Sequence, residues 1–347
     1  MKKRNRFAAL TIVAAMAATI FAGCGSSDTS SSSGTATGTS SSGTDKDYEI
    51  TMIMSIRDEF LSTLETGAQE NCPDGVTLTT QDAQNDAAKQ QQMIESARNA
   101  ENDAIIINLV DPAAAESMVD AAGGIPVVLV NRYPTDDSIL EAGKVVYVGS
   151  DEEESGRLQG EYLVDYFNAK GQTDITYVML QGTLGLPSTS ARSASAVQAL
   201  KDGGLNVTLK GSELAGEWDR GTAIEVFSSL VSVGGVDFDC VISNNDAMAL
   251  GVVEAMEQKG MDPSSIPIVG IDATADGRQA IKDGKMAMSA FQDPIGQGKG
   301  AILAAINLIE GNDISEGTDY ETDETGTALW VPFEAVTIDN VAEYDNR

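Results

Sequence analysis

Short apolar runs alternate with longer amphipathic stretches from Tyr48 almost to the end of the chain. The apolar runs predict strands at 49–54, 76–79, 104–107, 126–130, 145–148, 175–180, 206–210, 240–243, 267–271 and 286–291. Helix-length segments lie between most of them, including 60–71, 87–99, 247–259 and 300–309. This alternation is typical of parallel, doubly wound sheets. Because the strands are too many for one such sheet, the pattern predicts an α/β fold with two sheets and two domains.

Polar side chains follow most of these strands at the point where the strand ends. They are Asp58, Asn108, Asn131, Arg132, Asn245, Asp246, Asp272 and Gln292. In parallel α/β sheets, ligands bind outside the carboxyl ends of the strands. Amide, carboxylate and guanidinium groups can each make two hydrogen bonds, which suits the adjacent hydroxyls of a sugar. The pattern therefore predicts a binding site for a small sugar.

Each candidate also has a purely structural interpretation. Three acidic residues precede predicted helices and could serve only as N-caps, namely Asp58, Asp246 and Asp272. Turn roles are open for Asn108 and Asn131. Phe60 could be a core residue of its helix, Arg192 a solvated helix residue, and Trp218 a core or domain-edge aromatic. The set favours a ligand site, because independent capping need not place the same chemistry along one sheet edge.

The N-terminus has the organisation of an export signal. Lys2, Lys3, Arg4 and Arg6 precede an apolar segment at 7–20, which is short for a membrane span. The following Phe21-Ala22-Gly23-Cys24 resembles a bacterial lipobox, so we expect residues 1–23 to be a signal peptide and Cys24 to be lipidated. The alternative is ordinary signal cleavage with an incidental cysteine. Residues 24–46 are rich in Ser, Thr and Gly, which predicts a disordered tether to the outer face of the membrane.

Composition excludes several functional classes. The net charge of −31 argues against nucleic acid as a partner, because phosphate binding needs clustered Lys and Arg. The chain contains no histidine, so Ser-His-Asp and Cys-His catalysis and histidine metal sites are not available. The remaining cysteines, Cys72 and Cys240, lack metal-ligand spacing and are expected to be free thiols in different domains.

Several segments resemble the galactose/glucose-binding branch of the type I sugar-binding proteins of ABC importers. The most specific are Asn-Leu-Val-Asp-Pro-Ala-Ala-Ala at 108–115 and Asn-Asn-Asp-Ala-Met-Ala at 244–249. Asp-Glu-Phe at 58–60, Tyr-Val-Gly-Ser-Asp at 147–151, Glu-Ser-Gly at 154–156, Val-Gly-Ile-Asp-Ala at 269–273 and Val-Pro-Phe at 331–333 are also similar. The likeness covers nearly everything after the tether.

The resemblance implies two lobes joined by a three-strand hinge, with the sugar between them. The N-terminal lobe would comprise 47–131 and 292–329, and the C-terminal lobe 132–291 and 330–347. The hinge crossings are expected near 130–133, 290–293 and 330–332. The residues implied to bind sugar are Asp58, Phe60, Asn108, Arg192, Trp218, Asn245, Asp272 and Gln292, with Asn131, Arg132 and Ser188 as further candidates.

Two departures from the family pattern affect specificity and metal binding. Leu186 and Ser188 stand where the galactose/glucose branch has a His and an Asp, so galactose or glucose does not follow automatically. The segment 168–173 is short and lacks the alternating oxygen ligands of a calcium loop, so no structural calcium is expected. No other metal and no cofactor are expected either.

The expected protein is therefore a monomeric, extracytoplasmic, lipid-anchored monosaccharide-binding protein that serves ABC permease subunits. A pentose or a furanosyl signalling molecule is an alternative ligand, and carrying ligand to a chemoreceptor is an alternative role. An enzyme would need Asp58 and Asp272 to act as a glycosidase-like pair. A transcriptional regulator would need an N-terminal helix-turn-helix in place of the signal segment.

Overall fold

The computed structural model describes residues 47–345 and 347. The strands in this part of the chain are β1 (Tyr48–Met54), β2 (Val76–Asp82), β3 (Ala104–Ile107), β4 (Val127–Val130), β5 (Val145–Gly149), β6 (Asp174–Gln181), β7 (Asn206–Leu209), β8 (Leu214–Ala215), β9 (Cys240–Ser243), β10 (Ile268–Asp272), β11 (Met288–Phe291), β12 (Glu321–Thr322), β13 (Ala328–Trp330) and β14 (Glu334–Thr337). The α-helices are α1 (Glu59–Glu70), α2 (Ala87–Asn99), α3 (Ala115–Ala122), α4 (Glu152–Ala169), α5 (Pro187–Asp202), α6 (Arg220–Gly234), α7 (Asp246–Gln258), α8 (Ala275–Lys282) and α9 (Pro294–Glu310).

The predicted signal peptide, the lipidated Cys24 and the tether fall outside the described residues. Among the residues that are described, no helix combines the length and the apolar character needed to cross a membrane.

The first sheet has the strand order β12-β13-β5-β4-β3-β1-β2. Its strands run parallel except for the short β12, which is antiparallel to β13. The central β3 shows why the sheet is covered on both sides. Ile106 packs into one core with α1 and α9, whereas Ile105 and Ile107 pack into another with α2 and α3. A near-continuous apolar run is the sequence signature of such a doubly covered strand.

The second sheet has the order β14-β11-β10-β9-β6-β7, with β8 paired to β6 beyond the main path. Only β14 runs antiparallel, against β11. Helices α6, α7 and α8 cover one face, and α4 and α5 cover the other. Cys240 is buried in this lobe and Cys72 lies partly buried in the first, so the two thiols are separate and unbonded.

Three segments join the two lobes, and the first of them differs from the expectation. The chain leaves the first sheet after β5, which pairs with β4 and β13, and enters the second lobe at α4, which packs against α5 and β11. The expected crossing near 130–133 and the lobe boundary at 132 are therefore wrong, because residues up to Gly149 belong to the first lobe. The other crossings follow β11 and β13.

Gly149 is required at the first crossing. A Cβ atom there would lie 2.0 Å from the hydroxyl of Tyr147, which donates a hydrogen bond to the carbonyl of Asn131 at 2.9 Å. Any larger residue would push this hydroxyl away from the loop that carries Asn131 and Arg132. The hinge and one wall of the interlobe cleft are thus coupled through one buried tyrosine.

Candidate ligand site between the lobes

The carboxyl ends of the parallel strands of both lobes face one cleft, which contains a cavity of about 100 Å³. Ten sequence-predicted residues line it, namely Asp58, Phe60, Asn131, Arg132, Ser188, Arg192, Trp218, Asn245, Asp272 and Gln292. Glu59, Leu61, Glu152, Leu186, Ala247 and Thr274 complete the lining. The topology therefore brings side chains from both lobes and from a hinge segment to one cavity.

Asn108 is the predicted site residue that does not line this cavity. It is fully buried, and its Oδ1 accepts hydrogen bonds from the hydroxyl and the backbone N–H of Ser55 at 2.5 and 3.3 Å. Its Nδ2 donates to the carbonyl of Val130 at 3.0 Å and more weakly to Asn131 Oδ1 at 3.4 Å. In this structure Asn108 links the residue that follows β1 to the end of β4, so its amide is already used within the lobe.

The first lobe contributes an acid and a fixed guanidinium. Asp58 is the N-cap of α1, and its Oδ1 accepts a hydrogen bond from the Leu61 N–H at 2.8 Å. Arg132 Nη1 donates to the carbonyls of Leu109 and Val110 at 2.9 and 3.1 Å. Asn131 has a left-handed backbone with φ of 66°, which turns the chain sharply at the end of β4. These contacts hold the wall of the cleft in place before any ligand binds.

Arg192 is the central cation of the site and is only 5% exposed. Its Nε donates to Glu152 Oε2 at 2.5 Å, its Nη1 to the carbonyl of Asn244 at 2.7 Å, and its Nη2 to Gln292 Oε1 at 3.2 Å. Burial alone would lower the pKa of the guanidinium, but the neighbouring carboxylates, Glu152 first, outweigh burial and raise it. Arg192 thus remains charged and links the helix α5 to two hinge segments.

Two buried polar groups in the cavity lack hydrogen-bond partners among the described residues. The Gln292 Nε2 has none, although the side chain is 1% exposed. The Asp272 carboxylate accepts no hydrogen bond from those residues, and its nearest cation is Arg192 Nη1 at 4.0 Å from Oδ1. Buried polar groups are normally satisfied, so unsatisfied ones aimed into a cavity indicate where a ligand or water binds. Asp272 also has a φ of 105°, a backbone strain that is typical of functional positions.

The structure separates capping from ligand-facing roles. Asp58 and Asn245 are N-caps of α1 and α7, and Asn245 Oδ1 accepts from the Met248 N–H at 3.0 Å. The helix after Asp272 is instead capped by Thr274, so the capping interpretation of Asp272 is wrong. Asp246 is fully buried and accepts hydrogen bonds from the Thr274 N–H and the Ser289 hydroxyl at 2.8 and 2.6 Å. Asp246 therefore anchors the loop that carries Asp272.

Trp218 is held against the backbone of the second lobe. A Cβ on Gly182 would lie 2.0 Å from the indole ring, so only glycine allows the ring to approach this closely. The carbonyl of Trp218 accepts a hydrogen bond from Asn245 Nδ2 at 3.3 Å, and the Arg192 guanidinium carbon lies 5.4 Å from the ring centre. The indole is thereby fixed as one wall of the cavity, together with Phe60 of the other lobe.

Negative charge predominates in the cavity. Four carboxylates, those of Asp58, Glu59, Glu152 and Asp272, line it together with only two guanidinium groups. Burial raises the pKa of Asp272, and partial desolvation raises those of Asp58 and Glu59 in the same direction, although both of these residues are exposed. Such a site disfavours an anionic ligand and suits a neutral molecule with several hydroxyl donors.

No cluster of acidic or cysteine side chains suited to a metal occurs within residues 47–345 and 347.

The family model for the periplasmic binding protein domain matches residues 50–313 of this sequence. The chain belongs to this family. Members with this fold bind their ligands in the cleft between two lobes, which is where the lining residues converge here.

Individual relatives extend the likeness over most of the chain. A Rhizobium meliloti protein named for rhizopine binding is 35% identical over 298 residues, covering 84% of this chain and 90% of the relative. The D-galactose/methyl-galactoside binding periplasmic protein of Haemophilus influenzae is 31% identical over 298 residues, covering 83% and 88%. A solute binding protein of an ABC transporter from Bacillus halodurans, solved with bound myo-inositol, is 29% identical with a TM-score of 0.74 and covers 88% of this chain and 99% of that one.

Glu152 is the most consequential site residue that sequence reasoning missed. It opens α4 directly after the first hinge crossing and bonds Arg192. The segment 147–151 resembles the family, but a crossing predicted near 130–133 gives no role at the cleft to the residue after it. A hinge placed at Gly149 would have put Glu152 at the cleft.

The buried Asp246 predicts a pH effect on stability. Burial raises its pKa to about 7 in the folded protein, against an ordinary value of about 4. The folded state therefore binds the proton more tightly, so the Asp246 contribution to the free energy of unfolding falls as pH rises from about 4 to about 7. We expect the stability of Asp246→Asn relative to wild type to increase over this window and then level off. Denaturant melts of both proteins between pH 4 and pH 8 measure this; a difference independent of pH would contradict it.

Proposed function

We propose that this protein captures a neutral sugar or cyclitol between its lobes and presents it to the permease subunits of an ABC importer. The observation that carries the proposal is the pair of unsatisfied buried groups, Gln292 Nε2 and the Asp272 carboxylate, in one cavity. One is a hydrogen-bond donor and the other an acceptor, and a hydroxyl group can satisfy both kinds.

The remaining lining residues suit the same ligand. Phe60 and Trp218 offer apolar surfaces to the C–H groups of a ring, and Arg192 offers a guanidinium already oriented by Glu152. Asp58 and Asn245 use one oxygen for capping and lie beside the same cavity. Because the lining comes from both lobes, a ligand that bridges them binds the closed arrangement best and favours it.

The comparisons support this ligand class. One relative is named for D-galactose and methyl-galactoside, and one structural relative holds myo-inositol. Both ligands are small, neutral and rich in hydroxyl groups, as the charge balance of this cavity requires. We infer binding without turnover, because the relatives that match this chain are named as binding proteins.

A calorimetric panel tests the proposal. We expect at least one of galactose, glucose, ribose, arabinose, fructose and myo-inositol to bind with a dissociation constant on the order of micromolar or below. The 6-phosphates of galactose and glucose serve as charged counterparts and should bind at least about a hundredfold more weakly than the neutral sugars, because the cavity is acidic. Binding of a sugar phosphate in preference to its parent sugar, or no binding across the panel, would overturn the proposal.

We also propose that Cys24 anchors the protein to the membrane through a lipid. The support is the lipobox-like Phe21-Ala22-Gly23-Cys24 after an apolar segment. Cells fed a labelled fatty acid should label the wild-type protein, whereas Cys24→Ala should lose both the label and the membrane fraction. Ser26→Ala, two residues downstream, is the matched control and should stay labelled. Equal labelling of wild type and Cys24→Ala would refute the anchor.

A further inference from the structure

A second cavity of about 260 Å³ lies beside the first, in the same cleft. Its lining includes Pro112, Tyr133 and Trp330 from the first lobe and Pro187 and Ala191 from α5 in the second. The hinge residues 150–153 also line it. It is thus a second interlobe compartment, and it is the larger of the two.

The two cavities share a wall. Arg132, Glu152, Leu186 and Ser188 line both of them. Leu186 and Ser188 form the uncharged part of this wall, and Arg132 and Glu152 form its charged part. Because the same four residues border both cavities, a single ligand can place a ring in the first cavity and a substituent in the second.

The chemistry of the second cavity differs from that of the first. The rings of Tyr133 and Trp330 are stacked, with centroids 6.0 Å apart and planes 23° apart, and Tyr147 supports both edge-on or tilted. Two prolines add further apolar surface. Some polar atoms on the wall already have partners within the protein: Arg132 Nη1 donates to two carbonyls, Asp151 Oδ1 accepts from the Glu153 N–H at 3.0 Å, and Glu152 bonds Arg192.

The charges that line the second cavity also restrict which chemical group can bind there. Asp151, Glu152 and Glu153 line the second cavity with Arg132 as its only cation among the lining residues. An anionic group is therefore disfavoured. A flat apolar group matches the stacked aromatic rings and the two proline surfaces.

We propose that the second cavity is a subsite for an uncharged aromatic substituent, so that the ligand class extends from free sugars to their aryl glycosides. This inference rests on the proposed function, because the sugar ring itself occupies the first cavity. Burial of the substituent contributes affinity in proportion to the apolar area removed from water.

The test compares each sugar that binds with its methyl and phenyl glycosides, in both anomers. We expect one phenyl anomer to bind about tenfold or more tighter than the matching methyl glycoside. Ala191→Phe fills the second cavity from α5 and should remove this preference, while the parent sugar binds within about twofold of wild type. Ala194→Phe, which makes the same change at an exposed position of the same helix, is the matched control and should leave both affinities unchanged.

The outcomes separate the two proposals. If free sugars bind but no phenyl glycoside gains over its methyl counterpart, the subsite is refuted and sugar binding stands. If Ala191→Phe weakens the parent sugar as much as the phenyl glycoside, the second cavity is not a separate subsite. If no sugar or glycoside binds at all, the proposed function and the subsite are both wrong.

Discussion

Asp272→Asn is expected to weaken sugar binding by about ten- to a hundredfold. A charge-assisted hydrogen bond in a closed, dry cleft contributes about 1.5–3 kcal/mol, and the carboxylate has no hydrogen-bonding partner among the described residues that would compete for it. Folding should be nearly unaffected, because Thr274 and not Asp272 caps α8. Calorimetry with the sugar identified in the panel, together with denaturant melts, measures both quantities.

The control for this variant is Asp283→Asn, which changes an exposed acid at the C-terminal end of α8, the helix that follows Asp272. Both its affinity and its stability should match wild type. An unchanged dissociation constant for Asp272→Asn would remove Asp272 from the site. A loss of stability without a loss of affinity would return it to a structural role.

Arg192→Met is expected to lower the free energy of unfolding by about 3–5 kcal/mol and to abolish measurable sugar binding. The change leaves the side chains of Glu152 and Asp272, which are 12% and 8% exposed, without their cation, and removing one partner of a buried ion pair is costly. It also leaves the carbonyl of Asn244 and the Oε1 of Gln292 without a donor. Thermal and denaturant melts of the unliganded protein measure the stability term separately from binding.

A second substitution distinguishes charge from packing. Adding Glu152→Gln to Arg192→Met removes one of the stranded carboxylates, so we expect it to recover part of the lost stability without restoring binding. Arg157→Met, which alters an exposed arginine on α4, should cost less than about 1 kcal/mol. If Arg192→Met lowered the free energy of unfolding by no more than Arg157→Met does, the buried ion pairs of Arg192 would not stabilise the fold.

The fold class could be predicted from the sequence because its strands are buried on both faces. Runs such as Ala104–Ile107 are apolar throughout, and helix-length segments separate them. Which strands pair with one another, and in which sheet, could not be predicted in the same way. An apolar run such as Val145–Gly149 fits either sheet, and its place is decided by the neighbours β4 and β13. The latter strand has three residues, too few for any periodic signal.

At the candidate site, the sequence pattern predicts which residues lie at the sheet edge but not the direction of each side chain. Polar residues after strand ends indicated the correct edge of each sheet, and most of them line the cleft. Asn108 follows the same rule but turns inward, because Ser55 and the carbonyl of Val130 satisfy its amide. Which partner an amide finds depends on strands distant in sequence, so its direction could not be deduced from the pattern alone.

A crystal structure of the complex with the sugar identified in the panel tests the central claim most directly. We predict a ring between Phe60 and Trp218, with one hydroxyl donating to the Asp272 carboxylate and another oxygen accepting from Gln292 Nε2. Electron density for the sugar anywhere outside the interlobe cleft, or a bound ring that leaves Gln292 Nε2 and Asp272 unpaired, would contradict the account.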